Sequence, residues 1–293
     1  MITLKNVSKW YGHFQVLTDC STEVKKGEVV VVCGPSGSGK STLIKTVNGL
    51  EPIQQGQIIV DGTTVNDKKT NLAKLRSRVG MVFQHFELFP HLSIIENLTL
   101  AQVKVLNRDK AASRAKGLKL LERVGLSAHA EKFPAQLSGG QQQRVAIARA
   151  LITKPKLVFA DEPTGNLDSV SSAEVLGFLK RSVNELGQTI VMVTHDAVAA
   201  SYADRAIVFS DGRIVADEQH PNAEVMNELL MAERERTTRT TLTDTPAGQM
   251  AQMAGVRNVP DLPITDAPLP PAVPTSGCEG TLRHARAAAR HAR

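Results

Sequence analysis

A glycine-rich loop near the N-terminus has the residue types and the spacing that bind phosphate. It fits the pattern G-x-x-x-x-G-K-[ST] and consists of Gly34, Pro35, Ser36, Gly37, Ser38, Gly39, Lys40 and Ser41. Glycines let several backbone N–H groups face a phosphate, and a helix starting at Thr42 would add the positive end of its dipole. We expect Lys40 to contact the β- and γ-phosphates of a nucleotide and the Ser41 hydroxyl to bind Mg²⁺. A glycine-rich turn without a ligand is the alternative.

Two acids follow an apolar stretch at residues 157–160, where a strand would end. On their own, acids in such a place more often cap a helix or lie in solvent. Together with the phosphate loop they indicate nucleotide hydrolysis. We expect Asp161 to help hold Mg²⁺ and Glu162 to polarise the attacking water.

A second candidate anion site precedes a helical stretch at residues 142–151. It consists of Ser138, Gly139, Gly140 and Gln141, whose backbone amides would lie at a helix N-terminus. Two copies of the chain that pair head to tail could each present this turn to the nucleotide held by the other copy. A Ser-Gly turn that only caps a helix is the alternative.

The segments around these motifs alternate between β-type and helical patterns, which is typical of an α/β fold with a largely parallel sheet. Short, apolar, β-branched runs predict buried strands at residues 29–33, 79–83, 157–160, 190–194 and 206–209. Between them, residues 85–155 form a predicted helical insertion. Within it, residues 111–124 carry apolar side chains at three- and four-residue spacing.

Composition excludes several classes of protein. The chain has 293 residues and 42% hydrophobic content, enough for a sizeable core, but no apolar run near the ~18 residues of a membrane span. No secretory signal is visible, so we expect a cytosolic location. The three cysteines are too scattered for a disulfide framework or a zinc cluster. Aromatic residues make up only 4%, and no specific nucleic-acid partner is expected despite a net charge of +6.

The chain divides into a predicted domain at residues 1–231 and a tail at residues 232–293. Periodicity stops after about residue 231, and residues 237–293 are rich in Thr, Pro and Ala, which predicts disorder. The last thirteen residues carry four arginines and no acid, so they form either a basic helix on an anionic surface or a solvated end. Sixteen of the seventeen lysines lie at or before Lys156, a switch in composition that suggests two halves of different origin.

With these motifs in their order, residues 1–231 resemble the nucleotide-binding subunits of ATP-binding-cassette (ABC) transporters. The resemblance implies a P-loop (RecA-like) ATPase core with an N-terminal antiparallel β portion and an inserted helical subdomain. It implies that Tyr11 stacks on adenine and that Gln84 senses Mg²⁺ and the membrane partner. It also implies that Asp168 lies between two nucleotide sites and that His195 contacts the γ-phosphate.

The mechanism that the resemblance implies is an ATP-driven clamp. Two ATP molecules would bridge a head-to-tail dimer, and hydrolysis would open it. Transmembrane permease subunits would insert a short helix near Gln84, and a periplasmic or extracellular substrate-binding protein would act through them. The chain would then be peripheral on the cytoplasmic face of the inner membrane.

Two branches of the family share features with this sequence. Residues 79–91 and 96–101 look like the ATPases of glutamate/aspartate importers, whereas residues 161–169 and 187–196 look more like lipoprotein-release and macrolide-export ATPases. We expect an importer of glutamate or aspartate, because the region that would meet the permease lies in the importer-like half. The alternatives are an export ATPase and a soluble ABC ATPase that acts on ribosomes or DNA.

Overall fold

The computed structural model describes residues 1–243, which contain two β-sheets and eight α-helices. The first sheet is antiparallel and has the strand order β2-β1-β4-β5. Its strands are β1 (Ile2–Tyr11), β2 (Phe14–Val24), β4 (Gln55–Val60) and β5 (Thr63–Thr64). This sheet is the N-terminal antiparallel portion that the resemblance implies, and that prediction is confirmed.

The second sheet has the order β10-β9-β3-β8-β7-β6 and is parallel except for its edge strand β10. Its strands are β3 (Val29–Cys33), β6 (Val79–Val82), β7 (Leu157–Asp161), β8 (Thr189–Thr194), β9 (Arg205–Ser210) and β10 (Arg213–Gln219). The five predicted buried strands are confirmed to within one residue at each end. Because β3, β7 and β8 are parallel neighbours, their carboxyl ends meet at one edge of the sheet.

Alternate residues of the parallel strands pack on opposite faces of the sheet. On one face, Val31 and Met192 pack with Leu179 of helix α6 (Ser169–Leu186). On the other face, Val30 and Phe159 pack with Ile44 of helix α1 (Lys40–Val47), together with side chains of the antiparallel sheet. Both faces are covered, which explains the uninterrupted apolar runs in these strands.

The segment between β6 and β7 is largely helical and has a small core of its own. It contains α3 (Ile94–Lys104), α4 (Lys110–Arg123), α5 (Gly139–Leu151) and the 3₁₀ turns Ser127–His129 and Pro134–Gln136. Ile95, Leu121 and Val145 pack together in that core. The remaining helices are the short α2 (Leu72–Arg76) and α7 (Ala197–Ala200), and α8 (Ala223–Thr243).

Helix α8 continues past residue 231, where the sequence analysis ended the folded domain. Its first turns bury Met226 and Leu230. Its later turns are polar, and Arg236 makes ion pairs with Asp211 and Glu233. The Pro-rich stretch and the basic C-terminal end lie outside the described residues. Within residues 1–243, no helix has both the length and the apolar character needed to span a bilayer.

Candidate functional site

The phosphate-type loop connects the carboxyl end of β3 to the start of α1. A Cβ on Gly34 would lie 1.9 Å from the carbonyl oxygen of Phe209, so no larger residue fits there. Gly39 has φ +103°, a conformation that favours glycine, and it precedes the helix without any side-chain cap. The N-terminal amides of α1 are therefore available to an anion.

Lys40, the first residue of α1, points its ammonium back into the loop. Its Nζ donates hydrogen bonds to the carbonyl oxygens of Gly34 at 2.9 Å and Pro35 at 2.6 Å. Only 6% of Lys40 is exposed, and this burial lowers the pKa of its ammonium, while the Glu162 carboxylate acts in the opposite direction. A buried positive charge without a charged partner in hydrogen-bond contact favours a bound anion.

A hydroxyl and a carboxylate lie in contact beside the loop. The Ser41 hydroxyl donates to Asp161 Oδ1 at 2.8 Å, although 120 residues separate the two in sequence. Asp161 ends β7 and is 7% exposed. Hydroxyl and carboxylate oxygens are the hard ligands that Mg²⁺ takes, together with water and phosphate oxygens, so the pair fits this ion.

Glu162 has the geometry of a proton acceptor. Its Oε1 accepts a hydrogen bond from His195 Nδ1 at 2.9 Å, whereas its Oε2 is buried and has no hydrogen-bond partner among the described residues. The backbone is held at φ +46° while its N–H donates to the carbonyl oxygen of Val193 at 2.9 Å. Such a strained conformation is typical of a functional position, and the buried oxygen is an acceptor whose missing partner an enclosed water molecule would supply.

The structure thus brings the loop, Asp161, Glu162 and His195 together at one edge of the parallel sheet. Another buried polar atom, Ser38 Oγ, lies in the loop and has no hydrogen-bond partner among the described residues. An orphaned hydroxyl beside the positive end of α1 fits a phosphate-bearing ligand.

The second candidate anion turn lies elsewhere in the chain. The Ser138 hydroxyl accepts from Gln141 N at 3.4 Å, and Gln141 Oε1 accepts from Ser138 N at 3.0 Å. This capping box starts α5, so both side chains stabilise the helix in the single chain. A Cβ on Gly139 would lie within 4 Å of Phe86 and Asn166, and one on Gly140 within 4 Å of Leu167 and Ser171.

Asp168 and Gln84 have other partners within the chain. Asp168 caps α6 by accepting from Ser171 N at 2.9 Å and Ser171 Oγ at 2.7 Å, and these hydrogen bonds lower the pKa of its carboxyl group. The Gln84 carbonyl oxygen accepts from Asn166 Nδ2 at 3.2 Å. Within residues 1–243, no hydrogen bond joins the exposed Gln84 side chain to Ser41 or Asp161.

Tyr11 ends β1 and lies close to the phosphate loop. Its ring is 46% exposed. Burial of the hydroxyl raises its pKa, a hydrogen bond with Glu51 adds to this, and a hydrogen bond with Thr42 opposes it. Since Thr42 follows Ser41 directly, the ring lies at the border of the candidate phosphate site.

Sequence reasoning missed Arg149. Its guanidinium donates to the carbonyl oxygens of Phe86, at 3.0 Å, and Glu87. Both of these residues have positive φ, so Arg149 holds a strained loop that follows Gln84. Arg149 thereby connects α5 to that loop. No pattern in the sequence around Arg149 predicts this contact, because its partners are backbone carbonyl oxygens more than 60 residues away.

The fold, the phosphate loop and the second helix-start turn together define an ATP-binding-cassette ATPase. The ABC transporter family matches residues 17–165, about half of the chain, and the chain belongs to that family. It is an ATPase subunit of such a transporter.

Curated relatives and a solved structure agree with this family. The glutamate/aspartate import ATP-binding protein GltL of Escherichia coli K12 is 75% identical over 218 residues, 74% of this chain and 90% of the relative. The glutamate transport ATP-binding protein GluA of Corynebacterium efficiens is 52% identical over 218 residues, with the same two coverages. A dimeric structure of the ATP-binding cassette MJ0796 bound to ADP and Pi superposes with a TM-score of 0.70 at 37% identity, covering 76% of this chain and 100% of that one.

These matches do not support the predicted division into halves of different origin. A match of 218 residues is longer than half of the 293-residue chain, so the likeness to GltL extends into the second half. The switch from lysine to arginine along the chain has no structural explanation.

Proposed function

We propose that the chain energises the uptake of glutamate or aspartate through a separate membrane permease. The names of the relatives GltL and GluA support this substrate class. The observation that carries the ATPase part is the cluster at one sheet edge: Lys40 in its loop, Ser41 hydrogen-bonded to Asp161, and Glu162 with a free buried oxygen beside His195.

In this proposal the nucleotide is held by residues 34–42. The amides at the start of α1 and the Lys40 ammonium bind the phosphates, and Tyr11 stacks on the base. Ser41 and Asp161, joined by Gln84 once its side chain turns inward, hold Mg²⁺. The ion would screen the phosphate charge that develops in hydrolysis.

Glu162 acts as the base. Its unpartnered Oε2 accepts a proton from the attacking water, while Oε1 stays bound to His195. His195 Nδ1 donates to the carboxylate and holds it in place, and Nε2 would donate to a phosphate oxygen when the ring carries a proton on both nitrogens. The strained backbone of Glu162, fixed to Val193, keeps the carboxylate at the end of β7.

Two copies complete each site. Residues 138–141 and Asp168 lie at helix starts where Ser138, Gly139 and Asp168 are exposed and Gly140 and Gln141 are half-buried, so they can meet a nucleotide held by a second copy. The dimeric state named for the MJ0796 cassette is consistent with this arrangement. In a homodimer, the capping box of Ser138 would present the amides of Gly139 and Gly140 to the partner's phosphate.

The permease would dock in a groove of about 820 Å³ beside the loop that follows Gln84. Its lining combines apolar side chains such as Phe83 and Phe89 with the cationic Lys45, Arg76 and Arg149. A short amphipathic helix with an acidic end fits such a lining.

The chain would then be peripheral on the cytoplasmic face of the inner membrane, and a periplasmic or extracellular binding protein would deliver the substrate. We place the end of the ATPase domain at the end of α8 and treat the remaining residues as a tail.

Uptake in the source organism tests the proposal. Deleting the gene for this chain should abolish most ATP-dependent uptake of radiolabelled glutamate and aspartate. A plasmid copy should restore uptake, whereas a Glu162→Gln copy, expressed at the same level, should not. Uptake of lysine serves as the control and should be unchanged. Normal glutamate and aspartate uptake in the deletion strain would contradict the proposed substrate.

A further inference from the structure

A buried lysine lies directly behind Tyr11. Lys9 is 2% exposed, and its Nζ donates to the carbonyl oxygen of Pro52 at 2.9 Å and pairs with Glu51 Oε2 at 3.1 Å. A buried ammonium is costly unless it is paired and hydrogen-bonded, and here both conditions are met. The residue therefore has a fixed position rather than the mobility of a surface lysine.

The same ammonium lies against the Tyr11 ring. Lys9 and Tyr11 are two residues apart near the end of β1, and Lys9 Nζ is 4.2 Å from the Tyr11 ring centroid. The intervening Trp10 is fixed by its backbone, which exchanges two hydrogen bonds of 3.0 and 3.1 Å with the Gln54 side chain. The ring is thus held from behind, yet 46% of Tyr11 stays exposed.

Glu51 joins the two side chains. Hydrogen bonding with Tyr11, followed by the contacts with Lys9, lowers the pKa of the Glu51 carboxyl group. The carboxylate therefore stays ionised while it pairs with the Lys9 ammonium, which also contacts the Tyr11 ring. Lys9, Glu51 and Tyr11 form one connected group at the border of the phosphate loop.

We propose that Lys9 is a positioning residue for the nucleotide base: its buried ammonium, held by Glu51 and the Pro52 carbonyl, fixes the Tyr11 ring in the orientation that stacks on the base. This inference rests on the base-stacking role of Tyr11 in the proposed function. A ring that is already ordered loses less side-chain freedom on binding, and a cation–π contact stabilises that ordered state.

The alternative is a purely structural lysine that joins β1 to the segment at residues 51–52. The two interpretations differ in which ligand is affected. A positioning role concerns only the base, whereas a structural role disturbs the whole site. ADP and inorganic pyrophosphate separate the two, because both carry two phosphates, only ADP carries a base, and neither is turned over.

The experiment measures the dissociation constants of Mg²⁺-ADP and Mg²⁺-pyrophosphate by calorimetry with the full chain. Lys9→Met should weaken ADP binding about three- to tenfold and leave pyrophosphate binding within about twofold. Lys5→Met, on the exposed part of the same strand, is the matched control and should change neither constant. Equal weakening for both ligands, or no weakening for ADP, would overturn the positioning role.

A double variant tests whether Lys9 acts through Tyr11. In a Tyr11→Ala background, Lys9→Met should cause no further loss of ADP affinity, and a further loss would overturn the inference. If Tyr11→Ala alone leaves ADP affinity unchanged, the stacking role in the proposed function is wrong. If Tyr11→Ala weakens ADP binding and Lys9→Met does not, only the positioning role fails.

Glu51→Gln keeps the proposal testable if Lys9→Met does not fold. The amide retains the size of the carboxylate but removes its charge at a side chain that is 27% exposed. We expect a weakening of ADP binding of about two- to fivefold and no change for pyrophosphate. Unchanged ADP affinity in a folded Glu51→Gln protein would contradict the role of this group.

Discussion

Lys40 is expected to contribute to ligand binding and little to the stability of the fold. Its ammonium is buried and satisfied only by two carbonyl oxygens of its own loop, and burial lowers its pKa. Lys40→Met removes the charge and keeps an unbranched side chain. ATP affinity should fall at least about 100-fold, because the ligand loses its charged partner. The free energy of unfolding should change by no more than about 1 kcal/mol, since the lost hydrogen bonds are offset by removal of a buried charge.

Calorimetric titration with ATP and urea unfolding measure these two quantities. Lys45→Met, on the same helix outside the phosphate loop, should leave ATP affinity unchanged. Wild-type ATP affinity in the Lys40→Met protein would exclude Lys40 as the phosphate ligand.

Individual site residues differ in how far the sequence predicts them. The loop with Lys40 and Ser41 is local, so its spacing alone predicts its shape. The contact of Ser41 with Asp161 follows once both are placed at the carboxyl ends of parallel strands. In contrast, the pairing of Lys9 with Glu51 depends on how the segment between α1 and β4 packs against β1. No pattern in the sequence predicts this contact. The Ser-Gly turn is compatible with either helix capping or anion binding, and in the single chain Ser138 caps its own helix.

Among the elements, buried strands are predicted best. β3, β7 and β8 are covered on both faces, so each leaves a short apolar run bounded by polar residues. The end of α8 is predicted worst. After Leu230 this helix has no apolar stripe, and polar contacts such as the ion pair of Arg236 with Asp211 accompany its later turns. A helical spacing of apolar residues arises because one face of the helix is buried. A helix that is exposed on all sides has no such spacing, so the sequence does not predict it.

Arg149 links one element, α5, to the loop after β6. Arg149→Lys replaces the planar guanidinium, which donates to two carbonyl oxygens at once, with a single ammonium group. We expect the free energy of unfolding to fall by about 1–3 kcal/mol, because a strained loop loses charge-assisted hydrogen bonds. Urea unfolding monitored by circular dichroism measures it.

Arg181→Lys is the matched control on α6. Its side chain is exposed, so the free energy of unfolding should stay within about 0.5 kcal/mol of the wild-type value. An Arg149→Lys protein as stable as the wild type would show that the loop at residues 86–87 does not depend on this contact.

At the scale of the whole molecule, the proposed function divides the residues of one chain between two half-sites. The phosphate loop, Asp161, Glu162 and His195 form one, and the exposed helix starts at Ser138 and Asp168 form the other. Within the single chain, Ser138 caps α5 and Asp168 caps α6. In the proposed dimer, a second copy would give these helix ends a ligand, and ATP would then be part of the interface between the two copies.

The most direct test of this account is sedimentation of the Glu162→Gln protein, which should bind ATP without hydrolysing it. We predict a monomer without nucleotide, a dimer in Mg²⁺-ATP, and a monomer again in Mg²⁺-ADP, because the contacts to the γ-phosphate are then missing. A protein that binds Mg²⁺-ATP in calorimetry yet sediments as a monomer at every nucleotide concentration would contradict the account.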